Sequence, residues 1–193
     1  KYTYTVDEVT VPTNYQKTVD SNTITNTYTS PKIDVTVNKE WVNGPEDHPS
    51  VELQLYRNDV ALDGYKVTLP VDGQYTHTWT NLDETDSNGV KYTYRVNEVE
   101  VPKNYNATVS EDGLTVTNTY VIPTNGEAIA NKVWVNGLKG NRPTIQFQLY
   151  RNIAGGEPEI VPDAEIKTLE NGTTTVTWTN LEETDINGNP YTF

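Results

Sequence analysis

Short runs of alternating apolar and polar residues, each closed by turn-forming residues, make up most of the chain. Side chains two apart in a strand share a face, so Val35, Val37, Lys39 and Trp41 point one way. The same parity groups Val51, Leu53 and Leu55, then Tyr75, His77 and Trp79, then Tyr92, Tyr94, Val96 and Glu98, and finally Leu114, Val116, Asn118 and Tyr120. Between them fall Asn43-Gly44-Pro45, Asp63-Gly64, Asp72-Gly73, Asn88-Gly89 and Asp112-Gly113, and no stretch has helical periodicity. About seven short strands in about 90 residues predict a β-sandwich, so an all-β fold is expected.

Three of these faces break their own pattern. Lys39, Glu98 and Asn118 each stand alone among hydrophobes, where an unsatisfied polar group is costly. If the three faces line one core, an amine, a carboxyl and an amide are enclosed together.

The pattern is also repeated at a domain-sized period. Lys39-Glu40-Trp41-Val42-Asn43-Gly44 recurs as Lys132-Val133-Trp134-Val135-Asn136-Gly137, Gln54-Leu55-Tyr56-Arg57-Asn58 as Gln148-Leu149-Tyr150-Arg151-Asn152, and Thr78-Trp79-Thr80-Asn81-Leu82 as Thr177-Trp178-Thr179-Asn180-Leu181. Tyr4-Thr5-Val6-Asp7-Glu8-Val9 matches Tyr94-Arg95-Val96-Asn97-Glu98-Val99, and Thr25-Asn26-Thr27-Tyr28 matches Thr117-Asn118-Thr119-Tyr120. Matched positions lie about 90 to 99 residues apart, too far for a solenoid. The order of blocks predicts the C-terminal strands of one repeat over 1–30, a complete repeat over 31–121, and the N-terminal strands of another over 122–193. Glu8 and Asn26 therefore belong to one flanking copy and Lys132 to the other. Each stands on a face equivalent to its counterpart: Glu8 and Asn26 with Tyr4, Val6, Ile24 and Tyr28, and Lys132 with Ala130 and Trp134.

Composition narrows the function classes. The 193 residues carry a net charge of -13, which disfavours nucleic acid and anionic membrane as partners. No apolar run is long enough to cross a bilayer, and the start has no basic-then-apolar leader pattern. With 13 Tyr and 2 Phe beside abundant Thr and Val, the chain has β-forming residues but no cysteine, so a secreted β protein of this kind needs another staple.

An enclosed Lys, Glu and Asn can supply one. A neutral lysine amine attacks the asparagine side-chain carbonyl, ammonia leaves, and an isopeptide bond joins two strands. Burial lowers a lysine pKa to about 5 to 6 and raises a glutamate pKa to about 8 to 9 in the extreme. Lys39 would then be the nucleophile and Glu98 a neutral acid that polarises the amide and moves protons. Two plainer arrangements fit the same residues: a buried Lys-Glu ion pair with Asn118 hydrogen-bonded nearby, or side chains solvated at strand ends.

The ordered set Lys39-x-Trp41, Thr78-Trp79-Thr80-Asn81-Leu82, Tyr94-x-Val96-x-Glu98 and Val116-Thr117-Asn118-Thr119-Tyr120 resembles the B-type repeat of collagen-binding adhesins and pilins of Gram-positive bacteria, the Cna B-type domain. The resemblance implies an inverse immunoglobulin-like β-sandwich in a secreted, cell-wall-anchored surface protein. It also implies a spontaneous Lys-to-Asn isopeptide bond promoted by a buried acid. Matched by motif, the crosslink is Lys39 to Asn118 with Glu98 as the acid, and the flanking copies contribute Glu8 with Asn26, and Lys132. One departure is that Arg142-Pro143 has His48-Pro49 as its counterpart in the complete repeat.

No cofactor and no metal are expected. Asp83-Glu84-Thr85-Asp86-Ser87-Asn88-Gly89 and Glu182-Glu183-Thr184-Asp185-Ile186-Asn187-Gly188 are rich in oxygen ligands but lack a full calcium-loop order, so turn chemistry explains them better. The two histidines, His48 and His77, have no cysteine or matched histidine beside them, against a zinc site or hydrolytic triad. The expected role is a structural stalk repeat rather than a turnover enzyme, the alternative being a module that binds host matrix protein or glycan. Its expected partners are neighbouring repeats, with host ligands reached through other domains. Head-to-tail pairing of Lys132 from one chain with Glu8 and Asn26 of another is a further expectation.

Overall fold

The computed structural model describes residues 1–70, 72–171 and 173–193. The fold is all-β, an antiparallel immunoglobulin-like sandwich architecture with no helix among the described residues. Seven strands fall within 32–120, as the turn spacing predicts: β3 (Lys32–Val42), β4 (Val51–Arg57), β5 (Val60–Leu69), β6 (Thr76–Asp83), β7 (Tyr94–Glu98), β8 (Tyr105–Val109) and β9 (Thr115–Tyr120). They form two sheets of order β6-β3-β9-β8 and β5-β4-β7. Before them stands the hairpin of β1 (Tyr15–Asp20) and β2 (Thr23–Tyr28).

The remaining strands are β10 (Gly126–Asn131), β11 (Ile145–Phe147), β12 (Tyr150–Ile153), β13 (Glu159–Ile160), β14 (Lys167–Leu169), β15 (Thr175–Leu181) and β16 (Tyr191–Thr192). They pair as β10-β15, β11-β14 and β13-β12-β16. Val35 faces Trp79 across β3 and β6, and Ala128 faces Trp178 across β10 and β15, so the repeat in sequence becomes a repeat in register.

By contacts the chain forms two compact units, Lys1–Glu40 with Ser50–Val101 and Ala107–Thr117, and Trp41–Pro49 with Pro102–Asn106 and Asn118–Phe193. Val37, Leu53, Leu55, Leu69, Val96 and Val116, none of them exposed, form the centre of the first. In the second, Leu149, Val161, Trp178 and Leu181 pack with Ala128, Ala130, Phe147, Ala164 and Val176.

Alternation holds best where a strand lies between two others. β3, between β6 and β9, alternates from Ile33 to Trp41. β4 departs from it, because Gln54 is buried between buried Leu53 and Leu55. A register shift between Gln54 and Tyr56 leaves β5 carbonyls unpaired with β4, and the Gln54 amide donates to the carbonyls of Leu62 and Tyr65 at 2.8 and 3.2 Å. Parity alone places Gln54 outside; the bulge brings it in.

Candidate functional site

β3 turns Lys39 inward because its alternation runs unbroken through Val35 and Val37, both buried, and leaves Lys39 only 4% exposed. Glu98 closes β7 two residues after wholly buried Val96, and its side chain is 2% exposed. Asn118 lies between buried Val116 and Tyr120 on β9, the strand beside β3, and is itself wholly buried. All three residues therefore occupy the inward faces that parity assigns them. β3 and β7 belong to different sheets, so the approach of Lys39 Nζ to within 4.0 Å of Glu98 Oε1 crosses the core. Lys39 Nζ also donates to the Glu40 carbonyl at 2.6 Å.

Burial pushes the Lys39 pKa from its ordinary 10.5 to about 8, with the Glu98 and Glu40 carboxylates opposing the fall. At pH 7 this raises the neutral amine from about one in 3,000 to about one in ten. The amine is thus poised for nucleophilic work that a solvated lysine performs poorly.

A lowered folded-state pKa also sets the sign of a pH dependence. Between about 8 and 10.5 the unfolded chain binds the Lys39 proton more fully than the folded one, so stability rises with pH there. In Asn118→Ala, which has no side-chain amide at that position, the urea midpoint is expected to climb from about pH 8 to about pH 10. A flat profile over that window would contradict the assignment.

In the first flanking block, Asn26 Nδ2 donates to Glu8 Oε1 at 3.0 Å, so this carboxyl and amide are brought together. Glu8 Oε2 and Asn26 Oδ1 are buried and lack a hydrogen-bond partner among the described residues. The expected strand face around Glu8 does not form. Tyr4 and Val6 are 82% and 51% exposed and lie in no strand, since β7 exists by pairing with β4 and residues 2–8 have no such neighbour among the described strands.

Lys132 also departs from expectation. It is half-buried where Lys39 is buried, one residue beyond the end of β10, which among the described strands pairs with β15 alone instead of lying between two strands as β3 does. Its Nζ donates to the Val133 carbonyl at 3.2 Å, the same local bond that Lys39 makes to Glu40, and lies 4.5 Å from the Trp134 ring centre.

The acidic loops are turns fastened by their own carboxylates. Asp86 Oδ1 accepts from the N–H groups of Asn88 and Val90, and Asp185 Oδ1 from those of Asn187 and Asn189. These backbone hydrogen bonds hold the Asp86 carboxyl below its usual pKa. His48 stacks on Trp41 at 4.6 Å and His77 meets Trp79 edge to face at 4.7 Å, so both imidazoles take part in aromatic packing. Among the described residues no group of three His, Cys, Asp or Glu has metal-binding geometry.

Residues 35–119 and 129–193 match the model of the Cna protein B-type domain. The collagen adhesin of Staphylococcus aureus is 36% identical over 124 residues, covering 54% of this chain and 10% of that protein. The chain thus spans about a tenth of the length of that curated relative. A single B repeat unit of the collagen binding surface protein of Staphylococcus aureus is 32% identical, covers 56% of this chain and 61% of its own, and superposes with a TM-score of 0.43. A structure of two such units is 25% identical, covers 94% of this chain and 49% of its own, and gives 0.49.

Proposed function

Because the chain belongs to the Cna protein B-type domain family, we propose that it is a stalk segment of a bacterial surface adhesin or pilus-like protein, made of repeats each stapled by a Lys-Asn isopeptide bond. The observation that carries this reading is the buried approach of the Lys39 amine to the Glu98 carboxyl, 4.0 Å away, with the lysine pKa lowered by burial.

In the reaction, neutral Lys39 Nζ adds to the Asn118 side-chain carbonyl carbon. Glu98 in its acid form passes its proton to the amide oxygen as negative charge develops there, the carboxylate so formed takes the proton released by the lysine nitrogen and hands it to the departing nitrogen, and the carbonyl re-forms by returning the first proton to Glu98. One C–N bond forms, one breaks, and ammonia leaves. Enclosure supplies the proximity that makes so sluggish an aminolysis proceed. The bond is made once, on the protein itself, so no turnover is implied, and no residue of the trio calls for a metal or cofactor.

A stalk fits better than a receptor because the same blocks recur along the chain, which extends length, whereas a receptor site tends to be unique. Joining β3 to β9 sends tension between the ends of a repeat through covalent bonds instead of through the sheet. A reductant cannot reverse it, and no cysteine is needed. A cell-surface location, with host ligands engaged by other domains, follows from the same reading. Binding of the isolated repeat to host matrix proteins or glycans at micromolar strength would favour the receptor alternative. Intact mass is the direct test of the crosslink, because forming the bond removes one ammonia.

The flanking residues extend the proposal to contacts between chains. Glu8 and Asn26 present paired oxygens with no hydrogen-bond partner among the described residues, an arrangement suited to an incoming amine. Lys132 is half-buried and follows β10, whose Ala128 and Ala130 line a cleft of about 640 Å³ together with Leu149, Trp178 and Phe193. Lys132 of one molecule meeting Glu8 and Asn26 of another would link chains head to tail. Denaturing gels of concentrated protein are expected to show bands at multiples of the chain mass that disappear in Lys132→Ala. A single band at the chain mass would exclude covalent joining.

A further inference from the structure

We infer that consecutive repeats dock through a recurring contact, in which the last tyrosine of one repeat sets its hydroxyl against the threonine of the acidic loop of the next, so the partner of this surface is another copy of the repeat. The contact occurs twice along the chain. Tyr28 Oη lies 2.8 Å from Thr85 Oγ1, and Tyr120 Oη lies 3.0 Å from Thr184 Oγ1. The residues of each pair are 57 and 64 positions apart, so neither contact is a consequence of local chain geometry. Each pair lies within one of the two compact units.

Both sides of the contact are prepared in the same way. The ring of Tyr28 is held edge to face by Tyr15 at 5.5 Å, and that of Tyr120 by Tyr105 at 5.4 Å. Thr85 is bridged to Lys91 and Thr184 to Pro190, while the N–H groups of Glu84 and Glu183 each donate at 2.8 Å to a proline carbonyl, Pro31 and Pro123. The loops are closed by Asp86 and Asp185, so their acidic residues serve to present the threonine. Thr85 Oγ1 also donates to Ser30 Oγ at 3.2 Å, so in the first contact the threonine keeps a partner when the tyrosine hydroxyl is lost, and the second contact is the one to test.

Close packing surrounds the second contact. The Gly44 N–H donates to the Ile186 carbonyl at 2.8 Å, and a Cβ added to Gly188 would come within 2.5 Å of Pro45. In the first contact the loop glycine again faces the preceding copy: a Cβ on Gly89 would lie 3.9 Å from the Tyr28 hydroxyl. Nothing in the contact depends on whether Lys39 and Asn118 react, so it stands or falls independently of the crosslink.

The test uses the full chain, whose lack of cysteine lets spin labels be placed freely. Labels on exposed sites of the second compact unit, through Lys103→Cys in the complete repeat and Glu157→Cys in the following one, report the distance across the Tyr120–Thr184 contact by pulsed electron paramagnetic resonance. A single narrow distance distribution is expected. Tyr120→Phe and Thr184→Val, which remove one hydroxyl each and keep shape, are expected to abolish the narrow peak, as is Gly188→Ala. Hydrogen-exchange protection of β4 should stay unchanged, marking loss of docking and not of folding. A broad distribution in the wild type, or narrow peaks in Tyr120→Phe and Thr184→Val, would overturn the inference. If Gly188→Ala disturbs its own turn, where φ is +78°, the two hydroxyl variants decide alone.

Discussion

Wild-type protein is expected to weigh less than its sequence by one ammonia for the complete repeat, and Lys39→Ala, Asn118→Ala and Glu98→Ala are each expected to retain the full mass of their sequences. The three variants remove the nucleophile, the electrophile and the proton carrier respectively, so the crosslink should fail in each for a different reason. A wild-type mass equal to the sequence mass would sink the proposal. The stability consequence is large. Closing a loop of about 80 residues between β3 and β9 is worth roughly 4 to 5 kcal/mol by the chain-entropy argument developed for disulfides, a sizeable part of a small domain's stability.

The variants should then separate by what each leaves buried. Asn118→Ala keeps Lys39 and Glu98 as neighbours, whereas Lys39→Ala strands the Glu98 carboxyl in the core. Breaking such a buried pair costs about 3 to 5 kcal/mol where the remaining charge stays uncompensated. Replacing both members, as in Lys39→Met with Glu98→Leu, is expected to recover much of that loss without restoring the mass change. Chemical denaturation of the four proteins alongside intact mass checks both statements, and equal midpoints for Lys39→Ala and the double variant would contradict the second.

Leu53→Ala is the second substitution expected to act strongly, and it works through packing. Leu53 is wholly buried on β4 and stands in direct register with Glu98 on β7. Truncating a buried leucine typically costs about 2 to 5 kcal/mol, the amount depending on how well the site collapses around the space left. Here the space opens beside the carboxyl, and admitted water would hydrate Lys39 and return its pKa toward 10.5. Leu53→Ala is therefore expected to lower the denaturation midpoint on an Asn118→Ala background and, with Asn118 present, to leave a larger fraction at full mass soon after purification. Unaltered crosslinking in a clearly destabilised Leu53→Ala protein would show that the dry wall is not what activates the amine.

Much of the site was legible because strand parity is a hard geometric rule. Once Val35 and Val37 are assigned inward, Lys39 follows, and the same logic places Asn118 with Val116 and Glu98 with Val96. The repeated blocks made the correspondence of Glu8, Asn26 and Lys132 legible too. What parity did not reveal was which blocks become strands. Tyr4-x-Val6-x-Glu8 carries the same apolar alternation as Tyr94-x-Val96-x-Glu98, yet only the second is a strand, because only it lies against β4. Gln54 and the Tyr-Thr contacts were missed for a related reason. Each depends on groups brought together from elsewhere, although the recurrence of Tyr28 with Tyr120 and of Thr85 with Thr184 in matched blocks was a signal available to be read.

The amino-acid sequence by itself determined the all-β class, the repeat, the seven strands of the complete copy and the inward direction of Lys39, Glu98 and Asn118, since alternation and turn residues act over a few positions. Tertiary structure alone decided that Lys39 is buried and reaches Glu98 across two sheets while Lys132 is only half-buried. Burial belongs to a strand's neighbours: among the described strands β3 has one on each side and β10 has β15 alone, and the same lysine-containing motif therefore meets two different environments.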